Sequence, residues 1–294
     1  MQESNFKNYL YLHFIIFIWG FTAILGALIS IKAIPLVWYR MSIAVLFLVI
    51  YLFIKKKSLK IDTKAFIKFL ISGIIIAIHW ITFFKAIKIS NISITLVTMS
   101  TGAFFTSLIE PLFFKRKIKA LEIFFGVFVV FGLYVIFNFE SQYLTGIIYA
   151  LISAFLSALF TVLNGLYVQD YQADIMSFYQ LLFGTLFVST FIFFDSGFSV
   201  KFFQLTSSDW VYLLILSSVC TAYVFIALVK VMKFISPFTV MLTTNLEPLY
   251  AIVLALLIFG EKEQMKVEFY YGAFIILLVV FINGILKNKS FKKK

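Results

Sequence analysis

Glu247 is a carboxylate in the middle of an apolar run, at the centre of the stretch 236–259. It stands next to Pro248 and just after Thr243, Thr244 and Asn245. Proline has no N–H to give and crowds the carbonyl four residues earlier, here that of Thr244. A freed carbonyl, two hydroxyls, an amide and a carboxylate therefore gather within about one helical turn. Such a cluster either offers a polar wall to an amine or a proton, or holds its helix to a neighbour. Arg40, a few residues inside the stretch 36–54, either grips a carboxylate with its planar fork or reaches the interface along its stem. His79 and Trp80 lie midway along 66–84: the imidazole suits a proton or a polar substrate, the indole a stacking role, and plain packing is the alternative for both. Glu110-Pro111 repeats the Glu-Pro pair and predicts a similar kink, nearer the end of its segment and about one turn from Lys115, where a local ion pair is the simpler role.

Neutral groups surround these. Thr98, Ser100 and Thr101 fall in 92–114, Thr161 and Asn164 in 144–164, Gln180 in 175–194 and Tyr223 in 210–229. Hydroxyls in apolar helices often bond back to their own backbone, so each is weak evidence alone. Trp19, in the first apolar stretch, could stack on an apolar side chain. Gly126, Gly132 and Gly272 suit close helix contact better than ligand contact.

The elements that position these groups must be membrane helices. The chain is 63% hydrophobic and 13% charged, far from the half-apolar, quarter-charged balance of a soluble domain. Ten segments are long enough to cross a bilayer: 9–29, 36–54, 66–84, 92–114, 119–138, 144–164, 175–194, 210–229, 236–259 and 269–286. We number them spans 1 to 10. The first is too long for a signal-peptide core and is read as the first span. The net charge of +12 lies in short turns rather than on a basic face, which argues against nucleic acid. With the N-terminus in the cytoplasm, 18 of the 25 Lys and Arg fall on that side, 6 fall outside, and Arg40 is within the membrane. This bias predicts both termini in the cytoplasm.

Residues 85–117 and 230–262 read as two copies of one segment. Each begins K-x-x-K and runs through an apolar span to a short charged turn. The spans that follow open alike, at Glu122 to Gly126 and at Glu268 to Gly272. A weaker echo pairs Trp38-Tyr39-Arg40-Met41 with Phe178-Tyr179-Gln180-Leu181, which sets Gln180 opposite Arg40. Five spans per copy is an odd number, so the copies enter the membrane in opposite senses. The predicted fold is all-α and integral to the membrane: about ten transmembrane helices as two inverted-topology five-helix repeats, 1–139 and 140–294. That is the usual construction of a secondary transporter, with its site between the halves.

Several motifs then make the chain resemble the drug/metabolite transporter superfamily, and within it the EamA-type permeases. They are Trp19-Gly20-Phe21, Pro35 with Arg40, the run Phe84 to Ser90, and Leu246-Glu247-Pro248 followed by Leu257-Ile258-Phe259-Gly260-Glu261-Lys262. The first copy departs from the pattern, with Gly102-Ala103 where the second has Glu247-Pro248. The resemblance implies export or exchange of small metabolites, often amino acids, by alternating access. The expected site is lined by spans 1, 3, 4, 6, 8 and 9, with Glu247 negative, Arg40 positive and Trp80 apolar. Trp19, His79, Thr98, Thr101, Asn164, Gln180, Tyr223, Thr244 and Asn245 complete the substrate-binding set. Proton coupling would run through Glu247 or His79. No cofactor and no metal site is expected: Cys220 is the single cysteine, and Walker A, H-E-x-x-H and G-x-S-x-G motifs are absent. The expected partners are a small metabolite and the lipid of the inner membrane, with the chain a monomer or homodimer. An integral-membrane enzyme acting on lipid, or a scaffold, is the alternative.

Overall fold

In hydrocarbon every backbone N–H and C=O must find a partner within the protein, and a helix does so within one segment. The computed structural model describes residues 2–115, 117, 120–195 and 197–291. Arg116, Lys119 and Lys292 to Lys294, counted above in the charge bias, lie outside the described residues. So do the side chains of Glu122, Lys262, Lys287 and Lys289.

The helices are α1 (Gln2–Leu28), α2 (Ala33–Ile54), α3 (Thr63–Ile89), α4 (Ile92–Met99), α5 (Gly102–Phe113), α6 (Ala120–Phe139) and α7 (Leu144–Tyr167). They continue with α8 (Ala173–Asp195), α9 (Ser207–Ser217), α10 (Val224–Val231), α11 (Pro237–Thr244), α12 (Glu247–Phe259) and α13 (Val267–Phe291). Eight stretches are long and apolar enough to cross a membrane, and α6 and α13 add the shorter apolar runs Phe124–Phe139 and Val267–Val279. Ten passes result, five in each half, and both ends of the chain emerge on one face, here the terminal face.

Three passes are built of two pieces. Span 4 is α4 and α5, span 9 is α11 and α12, and in span 8 a π-helical turn, Ser218–Tyr223, joins α9 to α10. Span 9 breaks at Asn245-Leu246, just before the Glu-Pro pair. Span 4 does not kink at Pro111, which lies inside α5 near its end; it breaks at Ser100-Thr101 instead. Thr101 Oγ1 donates to the Thr98 carbonyl at 2.7 Å, and Ser100 Oγ to that of Leu96 at 3.2 Å. Ser100 and Asn245 hold the same place in the register that pairs Lys85 with Lys230. The two copies therefore break at one position.

Capping fixes the ends. Asp62 accepts from Ala65 N, Asn91 from Ile94 N and Ser236 from Thr239 N. Pro237 stands at the first position of α11, and Pro35 falls within the first turn of α2. At the start of α4, Glu263 is 4% exposed and accepts from Ile92 N at 3.0 Å, Ser93 N at 2.9 Å and Ser93 Oγ at 2.8 Å. A negative charge at a helix N-terminus is favourable, and this one also ties the turn after α12 to α4. We expect Glu263→Gln to lower stability by about 2 kcal/mol. The check is the melting midpoint in detergent, and an unmoved midpoint would mean that the contact contributes nothing.

Packing follows a two-fold pattern. α4 lies against α12 and α5 against α11; α3 packs on α7 and α8, while α1 packs on α10 and α12. α6 and α13 pair at Gly132 and Gly272, where an added Cβ would come within 3.1 and 2.9 Å of the opposite glycine's carbonyl oxygen. Gly126 abuts the Phe104 ring. Between the halves two apolar layers leave a gap. Leu12, Ile15, Ile16, Phe69 and Val240 form the layer toward the terminal face, and Ile24, Ile29, Phe84, Ile87 and Ile92 form the one toward the other face.

Candidate functional site

The gap is a cavity lined by six spans, with a volume of about 70 Å³ for the centres of water-sized molecules. That is room for several waters or one small solute. α1 contributes Trp19 and Thr22, α2 Arg40, α3 His79, Trp80 and Phe83, and α7 Ser157. Span 4 contributes Leu96, Met99 and Ser100; span 9 contributes Met241, Thr244, Asn245, Glu247 and Pro248. In spans 4 and 9 three consecutive lining positions are spaced i, i+3, i+4, which is one helical face. They are also the same three positions of the repeat: Leu96 with Met241, Met99 with Thr244, Ser100 with Asn245.

Arg40 is 1% exposed. Its Nε donates to Thr221 Oγ1 at 2.7 Å, and its Cζ lies 3.8 Å from the centroid of the Trp80 ring. Thr221 sits in the π turn and itself donates to the Leu216 carbonyl at 2.6 Å. The turn thus presents an acceptor where a straight helix would present a side-chain ridge, and π turns recur at functional sites. The stack on Trp80 holds the guanidinium plane, leaving Nη1 buried with no protein partner. Asn245 Nδ2 is likewise buried and unpartnered.

Glu247 faces the same cavity with no hydrogen bond or ion pair to another described residue. Ion pairs between Lys57 and Asp174 at 3.4 Å and between Lys68 and Asp170 at 4.0 Å lie at the terminal face. His79 Nδ1 is 2.9 Å from the Ser153 carbonyl oxygen and 2.8 Å from Ser153 Oγ. A carbonyl only accepts, so Nδ1 carries the proton in the neutral ring and Nε2 is left as an acceptor. The arrangement offers a cation, a carboxylate, an imidazole acceptor and an amide around an aromatic and aliphatic wall.

Of the residues expected at the site, Trp19, Arg40, His79, Trp80, Thr244, Asn245 and Glu247 meet here, and five lie elsewhere. Gln180 Nε2 donates to Asn164 Oδ1 at 2.7 Å, so these two buried amides pin α8 to α7. Here α3 passes directly over Gln180: a Cβ on Gly73 would lie 2.5 Å from its carbonyl oxygen. Arg40 and Gln180 hold related places in the two halves. One faces the π turn of span 8, the other the straight helix α3. Thr98 is fully buried beside the break and Thr101 bonds it, both turned from the cavity. Tyr223 is 45% exposed and its hydroxyl lies 3.0 Å from that of Tyr11, on the flank of the bundle. Span 8 therefore serves the site through Thr221, and span 2 takes its place in the lining. Glu110 borders a separate opening at the terminal face, with Gln169, Lys233 and Ser236. Thr22, Phe83, Leu96, Met99, Ser157 and Met241 were not anticipated. Thr22 and Phe83 sit three residues beyond Trp19 and Trp80, and the repeat register marks the others except Ser157, for which the sequence carries no signal.

No curated protein matches the chain. A solved crystal structure shares its fold at a TM-score of 0.69, covering 96% of this chain and 98% of its own, at 13% identity. The model of the EamA-like transporter family matches twice, at residues 7–138 and 144–285. Matched across both halves, the chain belongs to the EamA-like transporter family, whose members are membrane transporters of small molecules, and it is an integral multi-pass membrane protein.

Proposed function

We propose that the protein is a secondary transporter that exports small zwitterionic metabolites, amino acids foremost, across the cytoplasmic membrane by alternating access. One observation carries the reading: Arg40 and Glu247 line one cavity without a salt bridge between them. A buried guanidinium and a half-buried carboxylate that form no salt bridge suit a solute that brings its own opposite pair. The substrate carboxylate would take the free edge of the guanidinium, a planar fork made for it. Its amine would take Glu247, with Asn245 and His79 Nε2 to complete the shell. The side chain would lie on Trp80, Phe83 and Met241. In the absence of substrate a proton would serve Glu247 in place of the amine, which gives coupling a route.

The excess of Lys and Arg on the terminal face supports cytoplasmic termini. Movement would then be a rocking of residues 1–139 against 140–294, opening one apolar layer and then the other.

The test is comparative metabolite profiling of the medium from cells loaded with amino acids and dipeptides. Cells would express either the wild type or Glu247→Gln. We expect one or more amino acids to accumulate outside only with the wild type, with at least a tenfold loss in the variant, as deleting a charge-assisted contact of about 1.5–3 kcal/mol implies. Equal export by both proteins would remove Glu247 from the site. A wild-type signal confined to solutes without an amine would remove the zwitterion.

A further inference from the structure

A second opening, of about 350 Å³, lies on the flank of the bundle between α1, α2 and span 8. Tyr11, Tyr51, Ala222, Tyr223, Ala227 and Lys230 are among its walls. It runs from the terminal face, where Lys230 ends α10, inward along the π turn. By helical rise Tyr223 is about 10 Å deeper than Lys230. Tyr11 and Tyr223 are both partly exposed on this flank.

Two features say what fills it. Lys230 is exposed and makes no ion pair or hydrogen bond to another described residue, so a cation stands free at the mouth. The Tyr11 and Tyr223 hydroxyls bond each other at 3.0 Å. Two phenols carry two donors, and that bond uses one of them. The second O–H has no acceptor among the described residues. Reading inward, the groove asks for an anion, then a carbonyl acceptor, then a chain of methylenes thin enough to lie against Ala222 and Ala227.

We propose that this groove binds one anionic phospholipid of the leaflet at the terminal face. Its phosphate meets Lys230, a glycerol ester carbonyl meets the Tyr11–Tyr223 pair, and an acyl chain lies against the small residues of span 8. Charge and depth complementarity select this occupant; basic openings between membrane helices take anionic headgroups for the same reason. The site also bears on the central cavity. Ala222 and Tyr223 follow Thr221 in the π turn, and Thr221 holds Arg40. A bound lipid buttresses that turn from behind. None of this depends on what the protein carries, so the two readings fail separately.

The experiment is native mass spectrometry of the full chain purified from micelles containing equal amounts of phosphatidylglycerol and phosphatidylcholine with matched acyl chains. We expect the wild type to retain one phosphatidylglycerol in preference to phosphatidylcholine. Lys230→Gln should lower retention of phosphatidylglycerol about fivefold, the worth of one lysine at a lipid surface, and leave phosphatidylcholine unchanged. The double variant Tyr11→Phe, Tyr223→Phe should weaken both lipids to a similar extent, since the ester is common to them. Both variants alter exposed side chains and should fold. Equal retention of the two lipids by the wild type, or retention untouched in both variants, would overturn the proposal.

Discussion

Arg40→Gln is expected to lower transport of a zwitterion about 100-fold or more and to leave the protein folded. The first half follows from losing two parallel hydrogen bonds to a carboxylate, each worth about 1.5–3 kcal/mol when charged. The second follows from what Arg40 costs. A guanidinium in the membrane interior is unfavourable by about 2.5–3.5 kcal/mol on insertion scales. Against that stand one hydrogen bond to Thr221, a stack on Trp80, the attraction of Glu247 across the cavity and no hydrogen bond for Nη1. Thr221 does not suffer from the loss, since its own hydroxyl still donates to Leu216. A residue kept for stability would show the reverse. The measurement pairs substrate uptake or efflux in proteoliposomes with melting in detergent. Lost transport at an unchanged or raised midpoint supports the site. A fall of many degrees that accounts for the lost activity would make Arg40 a packing residue. Arg40→Lys should restore little, because a point charge neither stacks on Trp80 nor presents a fork.

Gly73→Val is expected to prevent stable folding, by more than about 3 kcal/mol, although Gly73 belongs to no motif of the sequence. At the crossing of α3 and α8 a Cβ on Gly73 would sit 2.5 Å from the Gln180 carbonyl oxygen and 3.0 Å from Gly184 N. From the other side, a Cβ on Gly184 would sit 2.7 Å from the Gly73 carbonyl oxygen. These obstacles are backbone, so the helices would have to part, and α3 is the helix that carries His79, Trp80 and Phe83. Gly20 is the control. It lies inside the Trp19-Gly20-Phe21 motif, yet its added Cβ would meet Tyr250 Cβ only at 3.4 Å. Gly20→Ala should give a monodisperse peak in size-exclusion chromatography and Gly73→Val should not. Equal behaviour of the two would show that α3 and α8 can separate.

The contrast between those glycines marks what could be read from the sequence. Hydrophobic length alone gave the passes, because lipid leaves the backbone no choice. Pro248 pointed to the break in span 9, and the repeat register would have pointed to the break in span 4 had Ser100 been weighed against Asn245 rather than Pro111 against Pro248. Proline was the louder signal and the weaker cause, since near the end of α5 few bonds depend on it. Arg40, His79, Trp80 and Glu247 were legible because polar and ionisable groups are costly in hydrocarbon and need a reason. Asn164 and Gln180 met the same test, and their reason turned out to be each other. Whether two amides face a cavity or one another depends on which helix lies over them, and Gly73 decides that from a hundred residues away in the chain. The π turn has no compositional mark at all. It lies where the Arg40 guanidinium of α2 meets span 8.

The match of the two breaks hides one difference. Where span 9 resumes with Glu247, span 4 resumes with Gly102, packed against Met241. Were the two copies identical, exchanging their conformations would turn the inward-open protein into the outward-open one, and the two would be degenerate in free energy. A carboxylate present in one copy only lifts that degeneracy. Under the alternating access proposed above, the empty protein would rest unequally between its two openings, and a ligand that neutralises Glu247 would redistribute it by the difference in its affinity for each.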